Sequence, residues 1–280
     1  MKEGKETTNA SSYRPIALTS CICKLLERII NRRLVWFLEA KGLIDRCQNG
    51  FRRGRSTLDS LAALSKDAHD AFRRKQYLFC IFFDLEKAYD TCWKFLIMQQ
   101  LHKFGLRGEL PLLINNFLSD RKFRVRVGTT LSEEYEQEMG VPQGGVLSCT
   151  LFNIAINTVV EVIRGLVSYS LYVDDKRIAY AGTDPTICKK RLQDVLNALQ
   201  RWAIKTGFRF STIKTEWMIF YRNIKEPTGI EFTLDGKLLK KVTTKKFLGM
   251  IFDRKLTWEA HVEYIRGKSL KAMNILYMIF

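Results

Sequence analysis

The stretch that constrains this chain most is residues 171–180, LYVDDKRIAY. Two adjacent carboxylates, Asp174 and Asp175, lie between the apolar runs 171–173 and 178–180, which predicts two short strands joined at an acidic bend. Adjacent carboxylates between buried strands repel each other and lose hydration. They therefore need a positive partner, most simply a divalent metal ion held by oxygen ligands. A surface Asp-Asp β-turn is the alternative.

A third carboxylate follows the apolar run 77–83, whose composition predicts a strand buried on both faces. The run ends at Asp84. If this strand lies beside the acidic hairpin, Asp84, Asp174 and Asp175 converge, and three carboxylates can hold two Mg²⁺ ions about 3.5 to 4 Å apart. Mn²⁺ is a possible substitute. Such a site serves in-line transfer of a nucleotide from a triphosphate to a 3′-hydroxyl.

The charge balance predicts a polyanionic partner. The 280 residues contain 46 Lys and Arg against 29 Asp and Glu, a net charge of +17. Residues 176–280 hold 21 of the basic and only 9 of the acidic residues. Cations that neutralise phosphates release counterions, so we expect binding to weaken steeply as salt rises.

Composition also narrows the class of protein. A hydrophobic content of 46% allows a large core, in one domain or two smaller ones. The seven cysteines form no C-x-x-C pair and predict reduced core residues of an intracellular protein. We found no apolar stretch approaching the roughly 20 residues that span a bilayer, so no membrane partner is expected.

Hydrophobic periodicity places the helices and one further strand. A helix over 22–38 should turn its apolar residues to a core and Glu27 to solvent, together with three arginines. FRVRV, residues 123–127, alternates as a strand should. Further helices are predicted from Ser56 or Thr57 onward and over 93–118 with a break near 105–111, 147–163, 186–206 and 257–277.

Seven segments carry a resemblance that spans nearly the whole chain. They are YRPIALTSCICKLLERIINRRL (13–34), QNGFRRGRSTLDSL (48–61), FDLEKAYD (83–90), GVPQGGVLSCTLFNIAIN (140–157), YVDD (172–175), GFRFSTIKT (207–215) and FLGMIFDRKLTW (247–258). In this order they resemble the reverse transcriptase domain of non-LTR (LINE) retrotransposons, most of all jockey-like elements.

The resemblance implies an α+β fold, the fingers and palm of a right-hand polymerase, with an antiparallel palm sheet packed on helices. Residues 1–12 are expected to be disordered, 13–76 to begin the fingers, 77–256 to form the palm with inserted fingers elements, and 257–280 to start a thumb. A fragment lacking an endonuclease and most of the thumb is expected. The implied partners are an RNA template, a DNA primer and dNTPs, in nucleus and cytoplasm; the oligomeric state is open.

The resemblance also assigns roles to single residues. Asp84, Asp174 and Asp175 are implied to be the catalytic metal ligands. Tyr89 is implied to exclude the ribose 2′-hydroxyl, with a core tyrosine as the alternative, and Lys214 to approach the triphosphate, with an exposed lysine as the alternative. The other nucleotide-binding candidates are Arg52, Arg55, Gln143 and Gly144, and the template and primer candidates are Arg121, Arg124, Arg126, Phe247, Leu248 and Gly249.

The chain departs from the family pattern at four positions. Gly145 stands where serine is usual, Cys149 where proline is usual, and Lys176 and Arg177 where apolar residues follow the aspartates. A lysine beside the carboxylates is expected to weaken Mg²⁺ binding. Two other functions therefore stay open: a decayed or co-opted copy that only binds nucleic acid, and a maturase-like splicing cofactor.

Overall fold

A computed structural model of the chain describes Thr8, Tyr13 and residues 16–277. The expected disorder of residues 1–12 thus lies almost wholly outside the described residues. Within them the helices are α1 Cys21–Ala40, α2 Thr57–Arg73, α3 Lys94–Lys103, α4 Glu109–Leu118, α5 Val146–Ile156, α6 Val160–Ile163, α7 Pro185–Thr206 and α8 Glu259–Tyr277. The strands are β1 Tyr77–Phe83, β2 Lys122–Phe123, β3 Arg126–Val127, β4 Thr130–Leu131, β5 Tyr135–Glu136, β6 Ser168–Tyr172, β7 Asp175–Gly182, β8 Glu216–Phe220, β9 Thr233–Leu234, β10 Lys237–Leu238, β11 Lys240–Lys241, β12 Thr244–Phe247 and β13 Met250–Asp253.

The chain divides into two compact units. The first unit comprises the described residues up to Arg46, then Lys87–Thr158 and Thr206–Arg209. The second unit comprises Cys47–Glu86, Val159–Lys205 and the described residues from Phe210 onward. The assignment of fingers, palm and thumb boundaries stays a prediction.

The second unit is built on a five-stranded sheet in the order β11-β8-β1-β7-β6. β1 pairs antiparallel with both β7 and β8, and β6 pairs antiparallel with β7. These four strands confirm the predicted antiparallel sheet. The edge strand β11 runs parallel to β8, so the expectation of a wholly antiparallel sheet is wrong at that edge.

Strand β1 is apolar throughout because both of its faces are covered. Leu78, Cys80 and Phe82 point toward one face and share a core cluster with residues of α2. On the other face, Phe79 stacks on Trp217 with ring centroids 6.5 Å apart. A central strand covered on both sides reads as a continuous hydrophobic run, which is the pattern seen here.

Helix α2 begins where the sequence predicts. Ser56 is its N-cap, and the Asp59 carboxylate accepts a hydrogen bond from the Ser56 backbone N–H at 2.7 Å, completing a capping box. Such a box satisfies amide groups that have no partner inside the helix. It thereby fixes the end of the loop that precedes α2, residues 48–55, called the basic loop for its three arginines.

In the first unit, α1 and α3 both pack on α5. The predicted orientation of α1 is wrong: Glu27 is buried, with 2% of its surface exposed, whereas Leu25, Leu26 and Ile29 are more than half exposed. Periodicity identified the helix but not its buried face, because α5 offers a polar partner to Glu27. That partner is described below.

Two further local expectations differ from the structure. FRVRV is not one strand: β2 ends at Phe123 and β3 starts at Arg126, so Arg124 and Arg126 do not lie on a continuous strand. The sequence also predicts a strand over residues 208–221 that carries Lys214, but β8 begins only at Glu216 and Lys214 lies in the turn before it. The β2–β3 segment is short and exposed, and burial on one face is what specifies a strand strongly.

One helical stretch, Val146–Ile163, is long and apolar enough to cross a bilayer by length and composition. The expectation that no apolar stretch approaches the length of a membrane span is therefore wrong for these 18 residues. Of its 18 residues, 72% are buried inside the protein, which is typical of a core helix. All seven cysteines are free thiols; Cys80, Cys92 and Cys188 are buried as predicted, whereas Cys21 is exposed.

Candidate active site

The acidic hairpin and β1 bring three carboxylates to one end of the sheet in the second unit. The pairing of β1 with β7 runs from Tyr77 opposite Gly182 to Phe83 opposite Lys176. Asp84 and Asp175 are the next residues in this register. Asp174 lies in the turn between β6 and β7, so the predicted convergence of the three aspartates is the arrangement that the strand pairing produces.

The turn is held by a residue that the sequence analysis passed over, Gln48. Its side chain is buried, and its Oε1 accepts hydrogen bonds from the backbone N–H groups of Val173 at 3.1 Å and Gly50 at 3.0 Å. Val173 has a φ of 59°, which is costly for a β-branched residue. A Cβ on Gly50 would lie 2.5 Å from the Val173 side chain. Glycine is therefore needed there, and Gln48 helps to hold Val173 in its strained conformation.

Asp84 is tied to the segment that leads into β8. Its backbone oxygen accepts a hydrogen bond from Ser211 N at 2.8 Å, and its Oδ2 lies 2.8 Å from Lys214 Nζ. The structure therefore brings Lys214 to the carboxylate group. Lys214 remains largely exposed and can exchange this partner for another anion.

Burial and the two neighbouring carboxylates raise the proton affinity of Asp175. Desolvation by the surrounding protein, and next the negative charges of Asp174 and Asp84, raise the pKa of Asp175 to about 6, although Lys176 opposes the shift. Uncompensated repulsion of this kind, in a set of oxygen ligands, fits a divalent cation. Among the described residues no three acidic, histidine or cysteine side chains are already placed to hold a metal, so ligation requires side-chain rotation.

Lys176, one of the departures from the family pattern, points into the protein. It is 3% exposed and donates from Nζ to the backbone oxygen of Asp174 at 3.1 Å. Burial lowers the pKa of Lys176 to about 7, while the charges of Asp174, Asp175 and Asp84 oppose this shift. The Lys176 amine therefore lies next to the carboxylates and is only partly protonated near neutral pH.

Arg177 points to the opposite face of the sheet and is completely buried. Its Nη2 lies 2.9 Å from Asp67 Oδ2 on α2, and Ser168 Oγ donates to the same oxygen at 2.6 Å. The contact is ionic rather than a well-aligned hydrogen bond, since none of the guanidinium nitrogens has a hydrogen-bond partner within the described residues. Arg177 therefore depends on Asp67 for its charge compensation.

We expect Asp67→Asn to destabilise the fold by about 3 kcal/mol, because it leaves the buried Arg177 cation without a counter-ion. Denaturant unfolding measures the change. Asp70→Asn is the matched control on the same helix: hydrogen bonds from Lys66 and Arg73 at the surface lower the pKa of Asp70 to about 2, and such pairs contribute little to stability. Equal effects of the two substitutions would contradict the role of Asp67.

A second group of candidate residues lies in the first unit. The Tyr89 ring stacks on Phe152 with centroids 4.7 Å apart and an interplanar angle of 8°. The segment GVPQGG, residues 140–145, is called the glycine loop here and is hydrogen-bonded to the Tyr89–Asp90 segment. Val141 N donates to Tyr89 O at 2.9 Å, and Gln143 Nε2 donates to Asp90 Oδ1 at 2.9 Å. Tyr89 and Gln143 thus lie in two segments of the first unit that are hydrogen-bonded to each other. Tyr89 is half-buried, and Cys149 also hydrogen-bonds to it.

The two candidate phosphate-binding arginines belong to the second unit. Arg52 Nη1 donates to the backbone oxygen of Gln48 at 3.1 Å, so the basic loop and the aspartate turn share Gln48 as a support. Arg55 lies 3.9 Å from Asp59 in the first turn of α2. Arg52 is therefore the arginine more directly connected to the carboxylates.

The template and primer candidates are spread over two hairpin regions. Arg121 hydrogen-bonds to Phe117 O at 3.2 Å, and Arg124 and Arg126 are exposed. In the second unit, β12 and β13 form an antiparallel hairpin, with Leu248 and Gly249 at its turn. The Phe247 side chain is buried against Phe82, so it anchors the hairpin rather than offering a surface.

The sheet with its three aspartates at one end is the arrangement that the resemblance to polymerases implies, and comparison with known proteins shows the family. The family model described as "Reverse transcriptase (RNA-dependent DNA polymerase)" matches residues 2–252. The chain belongs to the reverse transcriptase family.

Its curated relatives come from insect retrotransposons. It is 32% identical over 268 residues to the RNA-directed DNA polymerase from mobile element jockey of Drosophila funebris, covering 94% of this chain and 29% of that protein. It is 30% identical to the jockey protein of Drosophila melanogaster, covering 95% of this chain and 29% of that protein. The chain is thus a reverse transcriptase domain related to those of non-LTR retrotransposons and spans under a third of these relatives' length.

Solved structures support the fold. Apo telomerase from Candida tropicalis, truncated from its C-terminal domain, has a TM-score of 0.57 at 16% identity, over 85% of this chain and 45% of that one. The telomerase from the same organism in complex with a telomeric RNA fragment has a TM-score of 0.56 at 15% identity, over 83% of this chain and 36% of that one. The α+β architecture predicted from the sequence is confirmed.

Proposed function

We propose that the domain is an RNA-directed DNA polymerase that extends a primer 3′-hydroxyl with dNTPs. The observation that carries this proposal is the register of β1 against β7, which brings Asp84 and Asp175 to the same end of the sheet next to Asp174. A carboxylate trio of this kind, in a member of the reverse transcriptase family, is suited to two-metal nucleotidyl transfer.

Asp84, Asp174 and Asp175 are the residues that would hold the ions. Mg²⁺ or Mn²⁺ bound there supplies activation of the hydroxyl and neutralisation of the developing phosphate charge. Lys214, now paired with Asp84, is an exposed cation available to the triphosphate once the carboxylate binds metal. Its ammonium group can hold, and finally protonate, the departing pyrophosphate.

The basic loop supports the same proposal. Arg52 is linked through Gln48 to the turn that carries Asp174, so the loop holds a guanidinium group in a fixed relation to the carboxylates. Guanidinium groups bind phosphate oxygens in a bidentate manner, which suits the triphosphate of the incoming nucleotide. Tyr89, held by Phe152, is proposed to exclude a 2′-hydroxyl.

Template and primer are proposed to bind through the cationic surface. The net charge is +17, and exposed arginines lie on the β2–β5 segment. Contacts to phosphates dominate the affinity of such surfaces and weaken with salt. We also propose a nuclear and cytoplasmic location, where RNA template and DNA primer are found.

Primer extension tests the proposed function. The protein is incubated with an RNA template, an annealed DNA primer and dNTPs, with Mg²⁺, Mn²⁺ or EDTA. We expect metal-dependent extension that copies the template sequence. Tight binding of the primer-template without extension in either metal would reject the polymerase and favour the second candidate, a protein that only binds nucleic acid.

Buried Lys176 is the observation that favours this second candidate. Its ammonium group partly neutralises the carboxylates and should compete with Mg²⁺. We expect Lys176→Met to tighten metal binding roughly tenfold, the effect of about 1.4 kcal/mol of relieved charge repulsion.

Terbium luminescence and its displacement by Mg²⁺ measure this affinity without any need for activity. Lys190→Met, an exposed lysine on α7, is the matched control and should leave the affinity unchanged. If Lys176→Met binds no tighter than the control, Lys176 does not compete with the metal.

A further inference from the structure

Helix α5 begins without a cap of its own. Its N-cap residue is Gly145, which makes no side-chain hydrogen bond to the helix and is buried. The first amide groups of any helix lack partners inside the helix, and in a buried position they need an acceptor from elsewhere. The start of α5 is also the end of the glycine loop that carries Gln143.

Glu27 of α1 provides that acceptor. Its Oε2 accepts a hydrogen bond from the backbone N–H of Leu147 at 3.0 Å. Leu147 is the second residue of α5, and this N–H is one that an N-cap side chain ordinarily satisfies. The carboxylate also lies at the positive end of the helix dipole. A residue 120 positions away thus caps the helix.

The segment before α1 holds the same loop at its other side. Ala17 N donates to Gln143 O at 2.6 Å. A Cβ on Gly144 would lie 3.2 Å from Ala17 O, so the two backbones are in close contact. Residues 143–147 are therefore held between Ala17 and Glu27, while the Gln143 side chain reaches Asp90.

We infer that Glu27 is a positioning residue that caps α5 from outside and thereby sets the conformation of the Gln143–Gly145 loop for nucleotide binding. A serine at position 145 would carry its own capping hydroxyl; this chain has glycine there and uses Glu27 instead. The nucleotide part of this inference rests on the proposed function. The capping part does not.

Amide hydrogen exchange tests the cap directly. Glu27→Met keeps the side-chain volume but removes the oxygen acceptor, so Leu147 N–H should lose about tenfold of its protection, which corresponds to about 1.4 kcal/mol and lies within the range measured for a lost helix cap. Glu27→Gln retains an acceptor and should stay near wild type. Glu39→Gln, on the same helix and exposed, is the matched control. Unchanged protection of Leu147 in Glu27→Met would overturn the inference.

A rescue experiment provides a second test of the cap, which still applies if Glu27→Met folds poorly. Gly145 has φ −71° and ψ 140°, a conformation open to any residue and usual for an N-cap. A Cβ there would meet Ser148 Oγ at 2.6 Å, which a rotation of Ser148 relieves, and the side chain at position 27 at 3.2 Å, which the flexible methionine of the variant relieves by a small shift. Gly145→Ser should restore protection, or folding, in the Glu27→Met background. No restoration would count against the cap.

Steady-state kinetics tests the consequence for nucleotide binding. Loosening the Gln143 loop should raise the KM for dNTP about tenfold while kcat changes less, and Gly145→Ser should reverse part of the increase. If Glu27→Met instead lowers kcat about tenfold and leaves the KM for dNTP unchanged, Glu27 contributes to stability and not to nucleotide binding. If the wild type does not extend a primer, the proposed function fails, yet the exchange and rescue experiments still decide the cap.

Discussion

Replacing Asp84 with asparagine is expected to reduce nucleotide incorporation by about a thousandfold or more. In the proposed two-metal site the ions would contribute several kcal/mol of transition-state stabilisation, and each ~1.4 kcal/mol lost is a factor of ten in rate. Asp84 closes β1 beside the hairpin aspartates, so the substitution would remove a proposed metal ligand without disturbing the strand. Single-turnover extension on an RNA template with a DNA primer measures the loss.

Binding of primer-template should persist in this variant, because the cationic surfaces are untouched, and fluorescence anisotropy measures it. Asp235→Asn is the matched control: Asp235 lies in the β9–β10 turn, accepts a hydrogen bond from Gln200, and has a φ of 51° that asparagine tolerates. It should extend at the wild-type rate. An Asp84→Asn protein that still extends at near that rate would remove Asp84 from the metal site.

Replacing Tyr89 with alanine is expected to lower the preference for dNTP over the matching rNTP by about 10- to 100-fold, a typical effect of changing steric fit in a pocket. The ring is stacked flat on Phe152, so its position is fixed and its removal opens space. The quantity to compare is kcat/KM for dNTP divided by kcat/KM for rNTP.

Tyr89→Phe separates the ring from the hydroxyl. Phenylalanine preserves the stacking on Phe152 and should preserve the preference for dNTP, although it loses the contact with Cys149. If alanine leaves the ratio of the two substrates unchanged, Tyr89 is a packing residue of the first unit and another group must exclude the 2′-hydroxyl.

The parts of the fold that follow from local pattern were predictable. The continuous apolar run of β1 and the apolar runs on both sides of the aspartates predict the strands that the structure contains. The start of α2 was predictable because Ser56 and Asp59 form the capping box within four residues. Since adjacent strands position the aspartates, the centre of the candidate site could be predicted with the sheet.

The remaining features depend on partners distant in sequence. Glu27 and Arg177 are charged, and charged residues are almost never fully buried unless they are paired. Their partners, Leu147 N and Asp67, come from other elements, and no periodicity within α1 or β7 reveals them. Gln48 was missed for the same reason. It lies within a motif that was read for its arginines, although its own side chain supports the aspartate turn.

The register of β1 against β7 determines which residues lie at the candidate site. Losing one residue inside either strand would draw its end back by about 3.3 Å and turn the following side chains to the other face of the sheet. A deletion in β1 would separate Asp84 from Asp175, and one in β7 would also displace Arg177 from Asp67. A substitution that keeps an apolar side chain in these strands leaves the register intact, whereas a single in-frame codon deletion would disrupt the candidate site and the packing together.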